Sequence, residues 1–403
     1  MNVIYMNHYS GSFLQPREWR PYYLSKSLVD LGVKVSVVCA SFHHLHKEVY
    51  IQNNMVESKS IDGVDYFWLK VPFYKGNGFA RIKNMFVFGF RAFRLDPVKD
   101  LKIGVPDVVV ISSAHPFHFI AGLRWAKKYK AKLVFEIRDA WPLSLNLMLG
   151  LNKLHPFSLL LSMFQYLALK LSDKVIGLAG GLESYCLEKG MAQGKFVHVC
   201  NGIEDTQNFD TAPIIEDRLQ EIRANYKRIV MYTGSLGIPN AMKYCISAMN
   251  GVTDPEIALV LIGGGAEEAD LKNMVINENI FFLGSVPKDT IQSVLSYSDV
   301  CIISWLKLEV YKYGISPNKL FDYMYASKPI IQAIDSPHNI IGSSDCGLVI
   351  EPENIDAMRN AILSMCSLSD QELRLRGAAG RSLVLSEYTY SQLAKKVLHE
   401  AFI

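Results

Sequence analysis

The chain has 403 residues, half of them apolar and a fifth charged, and a formal net charge of +3. That length exceeds one ordinary core and calls for two domains. The composition is that of a soluble globular protein, and so small a positive excess argues against a nucleic-acid binder.

Met1 leads straight into an apolar run, so no secretory signal is expected. In the first half, strands are expected at 2–6, 33–38, 64–70, 107–112, 132–137, 174–178 and 196–200. Most are continuous apolar runs, the mark of strands buried on both faces in a parallel sheet. The most apolar helical stretch, 156–171, is shorter than the ~20 residues that span a bilayer. Residues 203–227 are polar and read as a linker with a first helix. A second strand set follows at 228–233, 257–263, 279–284, 299–304, 329–333 and 347–350. The economical architecture is α/β, two doubly wound Rossmann-like domains facing each other across a cleft. The seven cysteines form no C-x-x-C pair and read as reduced, buried residues of a cytoplasmic protein.

In such sheets, ligands bind beyond the carboxyl ends of the strands. Two glycine turns stand there, "TGSLG" (233–237) and "IGGGAEE" (262–268). Glycine lets backbone approach a ligand, and a helix start presents N–H groups to an anion. Tight βα turns with no ligand would read the same way. The stretch "SPNKLFDYM" (316–324) offers Ser316 as helix cap and Pro317 as first helical residue. Lys319 and Asp322, three apart, share a face. An ammonium followed by a carboxylate one turn on suits a diphosphate joined to a vicinal diol, as in a nucleoside diphosphate. The same residues also suit a plain helix start with an ion pair.

Taken together, "PDVVVISSAHPF" (106–117), "KLVFEIRDAWPLSL" (132–145), "CNGIE" (200–204), "YTGSLG" (232–237), "LIGGGAEEADL" (261–271), "FLGSVPKDTI" (282–291) and "SPNKLFDYMYASKPII" (316–331) resemble the retaining glycosyltransferases of family 4. These have the GT-B fold, and the resemblance is to the branch that builds bacterial O-antigen and capsule units. It implies an acceptor-binding N-terminal domain (1–205), with the terminal helix (386–403) packed on it. It also implies a donor-binding C-terminal domain (206–385). The implied reaction moves a sugar from a nucleoside-diphosphate sugar to a lipid-linked or saccharide acceptor. A UDP-linked N-acetylated hexosamine or deoxyhexosamine is the donor expected.

By the same resemblance, Lys319 contacts the diphosphate and Asp322 takes the place of the ribose-binding glutamate. Ser316, Asn318, Gly234, Ser235, Gly237 and Gly264 surround the donor, and Val286 offers backbone to the base. His8, Gly11 and Ser12 form a loop near phosphate or acceptor. Gly314 stands where the family carries a second glutamate. Ser235 and Asn240 stand roughly where many relatives carry arginine and lysine.

Candidate catalytic groups are Asp139 and its neighbour Arg138 at one strand end and His115 at another, with His118 and His8 nearby. Asp139 reads equally as a cap or as a partner of Arg138. No D-x-D motif or ligand-spaced cluster occurs, so transfer without metal or cofactor is expected. Residues 79–95 place phenylalanines at helical spacing beside Arg81, Lys83, Arg91 and Arg94. They read either as a helix packed on its sheet or as an interfacial helix meeting anionic lipid at the inner face of the cytoplasmic membrane. A nucleotide-sugar epimerase of the same fold and a non-catalytic nucleotide-sugar-binding subunit stay open as other functions.

Overall fold

The computed structural model describes all residues except 12–17, 44–53, 77, 114, 151, 153 and 207–209. The chain divides into two compact units, Met1–Cys200 with Tyr390–Ile403, and Asn201–Thr389.

Unit 1 carries strands β1 (Asn2–Asn7), β2 (Lys34–Ala40), β3 (Val56–Ile61), β4 (Val64–Leu69), β5 (Val108–Ser113), β6 (Lys132–Ile137), β7 (Lys174–Gly177) and β8 (Phe196–His198). Its helices are α1 (Trp19–Asp30), α2 (Phe79–Arg94), α3 (Phe119–Tyr129), α4 (Leu143–Leu149), α5 (Pro156–Leu171) and α6 (Leu182–Glu188). The sheet order is β3-β4-β2-β1-β5-β6-β7-β8, parallel but for the β3–β4 pair. β3 escapes the sequence reading because "VESKSI" is polar and half-exposed, as an edge strand can be.

Unit 2 holds β9 (Arg228–Thr233), β10 (Ile257–Ile262), β11 (Ile280–Phe282), β12 (Val300–Ser304), β13 (Ile330–Ala333) and β14 (Gly347–Ile350). Before, between and after them run α7 (Pro213–Asn225), α8 (Met242–Asn250), α9 (Glu268–Asn273), α10 (Ile291–Ser296), α11 (Asn318–Tyr325), α12 (Ile355–Cys366) and α13 (Asp370–Glu387). The order β11-β10-β9-β12-β13-β14 is parallel throughout. β9, β10 and β12 are buried along their whole length, which is why they read as unbroken apolar runs. The strand order reverses between β9 and β12, the switch point at which such sheets open to a ligand.

The last helix, α14 (Tyr390–Val397), returns to unit 1 and packs on α1, where Tyr390 stacks on Tyr23 at 5.2 Å. Inside unit 1, fully buried Arg20 of α1 donates to Glu136 of β6 (2.9 Å) and to the carbonyls of Val199 (3.0 Å) and Cys200. Tyr5 and Ser112 also donate to Glu136, so the buried charge pair is hydrogen-bonded on both sides. This network fixes the end of unit 1 to its sheet. All seven cysteines are buried and unbridged.

Candidate donor and catalytic sites

At the switch point of unit 2, three turns are laced together by backbone. Gly234 donates to Ile262 O (2.9 Å), Leu236 to Gly264 O (3.0 Å) and Gly263 to Gly284 O (2.7 Å). The approach leaves no room for side chains. A Cβ on Gly263 would lie 1.8 Å from Gly234 O, and one on Gly265 would lie 2.2 Å from Leu236 O. Gly234 and Gly263 both have φ +145°, open to glycine almost alone. Gly237 follows on the same turn, beside exposed Ser235. Ser285 and Val286 follow Gly284, and Gly264 lies against the Ser285 hydroxyl.

Helix α11 aims its first turn at this row. Tyr323 fixes it by accepting from Thr233 N at 2.7 Å. Lys319 Nζ donates to Tyr232 Oη (2.7 Å) and Asn240 Oδ1 (2.8 Å), and lies 4.2 Å from the Tyr232 ring centroid. A Cβ on Gly234 would come within 2.9 Å of that ammonium, so the lysine reaches the turn itself. Desolvation lowers the Lys319 pKa to about 7, against the charge of Asp322, which raises it. A lysine so poised would regain its full charge beside a bound anion. Trp305, whose ring lies 5.8 Å from the same ammonium, has a buried Nε1 with no hydrogen-bond acceptor among the described residues.

One helical turn on, Asp322 is 6% exposed, and its carboxylate is paired with Lys288 from the turn after β11. The Lys319–Asp322 ion pair of the plain helix-start reading is not formed, and this long-range pair stands in its place. Lys288 had no local signal, since it lies 34 residues away in sequence. The expected cap is also corrected. Pro317, not Ser316, is the N-cap residue of α11, Asn318 is the first helical residue, and no side chain caps the helix. Asn201 takes Ser316 instead, through Asn201 N to Oγ (2.7 Å) and Asn201 Nδ2 to Ser316 O (2.6 Å). The uncapped start presents backbone N–H groups beside Lys319, as anion sites do. Gly314, in the loop before α11, has φ +88° and ψ 171°.

In unit 1, the strand ends look different. Asp139 is exposed just past β6. Arg138 turns to Glu18 at 2.5 Å, and burial opposes but Glu18 and Glu136 together hold its pKa above the usual value. Among the described residues, the Asp139 carboxylate has no hydrogen bond or ion pair. His115 and His118 are 0% and His8 1% exposed. His115 Nε2 lies 2.8 Å from His8 Nδ1, and His118 Nε2 lies 3.2 Å from Ser112 O. Burial pushes all three well below the ordinary histidine pKa, so the rings are neutral. Gly11 is buried, with its carbonyl accepting from Tyr66 at 3.2 Å. Ser12 lies outside the described residues. Among the described residues, no group of three or more His, Cys, Asp or Glu could hold a metal.

Residues 18–207 match the model of Glycosyltransferase Family 4, and residues 227–367 match that of Glycosyl transferases group 1. No curated protein matches the sequence. Solved structures match over nearly the whole length. Sucrose-phosphate synthase from Thermosynechococcus elongatus has a TM-score of 0.73 at 13% identity, covering 98% of this chain and 97% of its own. HepE of Anabaena in complex with UDP-glucose gives 0.63 at 12%, covering 98% of each chain. WaaG, a glycosyltransferase involved in lipopolysaccharide biosynthesis, gives 0.67 at 12%, covering 99% of each. With two adjoining glycosyltransferase domain matches on two Rossmann-like units in tandem, the chain is a glycosyltransferase of the GT-B fold.

Proposed function

We propose that the protein moves a sugar from a nucleoside-diphosphate sugar to a lipid-linked or saccharide acceptor in cell-surface polysaccharide synthesis, with retention and without a metal. The carrying observation is the first turn of α11. Lys319, uncapped N–H groups and the glycine turn at Gly234 meet at one point, and Asp322 follows one turn along. Positive charge and N–H groups at fixed positions stabilise a diphosphate leaving group. That the similar HepE was solved with UDP-glucose supports a UDP-linked donor, and the name of WaaG supports a place in surface-glycan assembly.

In unit 1, Asp139 is the better placed of the candidate bases, because it is exposed and Arg138 is engaged elsewhere. His115, fully buried against His8, supports the strand end from behind. The reaction then runs on one face of the sugar, with Asp139 accepting or sharing the acceptor proton.

Helix α2 supports a membrane-borne acceptor. Asn84, Met85, Phe88, Gly89 and Ala92 form its buried side, while Phe79 is 80% and Phe90 61% exposed. The phenylalanine stripe therefore faces outward, not onto the sheet. Phe117 stacks on Phe86 at 4.2 Å and meets Phe164 of α5 edge-on at 5.4 Å, joining the two helices. α5 adds exposed Leu159 and Met163, and neither helix contains an acidic residue. Apolar tips among arginines and lysine suit an anionic lipid surface. No helix among the described residues is long and apolar enough to cross a membrane.

Incubation with UDP, GDP and dTDP sugars and a polyprenyl-diphosphate-linked saccharide tests this reading. Transfer with retention, undiminished in excess EDTA, is expected. An isomerised donor with no transfer would make the protein an epimerase, and donor binding without turnover would make it a binding subunit.

A further inference from the structure

Resting on the donor reading above, we infer that Lys288 is a specificity-determining residue that reads the ribose diol together with Asp322. Most ion pairs of unit 2 lie in the open. In Lys272–Glu268, for example, the side chains are 51% and 32% exposed and the partners are four residues apart. The Lys288–Asp322 pair differs on both counts. The carboxylate side chain is only 8% exposed, and the lysine arrives from another strand turn. Its turn is itself held, by Thr290 Oγ1 donating to Pro287 O at 2.9 Å. Gln292 Nε2 donates to Asp322 O at 3.1 Å, tying α10 to the same turn of α11.

This arrangement changes what the carboxylate can do. A free carboxylate can accept both hydroxyls of a vicinal diol. Here Lys288 donates to Oδ1, which leaves Oδ2 as the fully open acceptor oxygen for a hydroxyl. The ammonium keeps two further N–H donors, and its side chain is 36% exposed, so it is open to a ligand beside Asp322. One ribose hydroxyl donates to Asp322, and the oxygen of the other accepts from Lys288. The aspartate is one methylene shorter than a glutamate, and the lysine supplies the missing reach. Lys319 and Lys288 then hold the two ends of the diphosphate–ribose unit, on either side of Asp322.

Calorimetric titration of wild type, Lys288→Met, Lys288→Arg, Asp322→Asn and Lys288→Met/Asp322→Asn with UDP, 2′-deoxy-UDP and 3′-deoxy-UDP tests this. Wild type should prefer UDP over at least one deoxy form by about tenfold. Lys288→Met should weaken UDP about tenfold and abolish that preference. Lys288→Arg should restore part of both, and the double variant should bind no worse than the weaker single one. Thermal unfolding of each variant confirms that the fold is kept. Equal or tighter UDP binding by Lys288→Met, or an unchanged ribose preference, would show a mere surface pair and overturn the inference. A wild-type protein that takes none of UDP, GDP or ADP would overturn the donor reading itself and this inference with it.

Discussion

The strand ends of unit 2 present backbone, and those of unit 1 present packed rings. In unit 2, Gly234, Gly263 and Gly265 bring three turns into main-chain contact, and one half-buried lysine supplies the charge. In unit 1, His8, His115, His118, Tyr9 and Phe117 fill the corresponding edge and leave Asp139 exposed beside them. An edge that must accept many equivalent phosphate oxygens is well served by N–H groups. On the proposed function, the unit 1 edge would orient one reacting hydroxyl, a task better served by a stiff wall with a single polar group on it.

The strongest way to break this comparison is at Asp139. Asp139→Asn should lower turnover by roughly 10²–10⁴-fold while leaving donor affinity unchanged. Steady-state rates together with calorimetry of donor binding would check it, and a variant with normal turnover would move the base elsewhere. Next in size is the backbone lacing. Gly263→Ala should destabilise unit 2 by about 3 kcal/mol, since its Cβ has nowhere to go and φ is unsuited. Scanning calorimetry should show a transition lowered by roughly 10 °C.

At Lys319, truncation to alanine should weaken nucleoside diphosphates by about 1.5–3 kcal/mol and leave free nucleosides almost unaffected. The same residue gives a pH signature. Its folded pKa is depressed to about 7, so the unliganded site is increasingly neutral above that pH. Binding a diphosphate would then require proton uptake, and UDP-sugar affinity should fall by up to about tenfold per pH unit above 7. Below pH 7 the ammonium is already charged and the slope should vanish. Lys319→Arg should flatten the profile, because arginine stays charged. The smallest effect is expected at the lipid face. Replacing Lys83 and Arg94 by glutamine should weaken binding to phosphatidylserine vesicles by about 1 kcal/mol for each charge, as flotation would report. Unchanged flotation would return the phenylalanine stripe to some other partner.

How much of this could be read beforehand follows from what acts locally. The buried strands announce themselves as apolar runs such as "IALVLI", and the α2 stripe follows from helical spacing. What the spacing could not say is which side of α2 faces the sheet, since Met85 and Phe88 are as apolar as Phe86 and Phe90. Lys319 and Asp322 were legible because both sit on one helix turn. Lys288, Tyr232 and Asn201 were not, because each reaches α11 or its approach from a distant part of the chain. Ser316 misleads for the same reason. Its residue type favours capping, but Asn201 claims the hydroxyl first.

Gly314 carries a consequence for how this enzyme can change. With φ +88° and ψ 171°, the position occupies a backbone region that side-chain-bearing residues enter only at about 1–3 kcal/mol. Restoring a glutamate there by a single substitution would strain the loop before the new carboxylate met any sugar. The loop would first have to be reshaped, through several residues at once. If this loop reads the donor sugar, a change of preference through position 314 carries that backbone cost. Efforts to retune it should begin with the path of the loop from Leu308 to Ile315, and only then with the chemistry of its side chains.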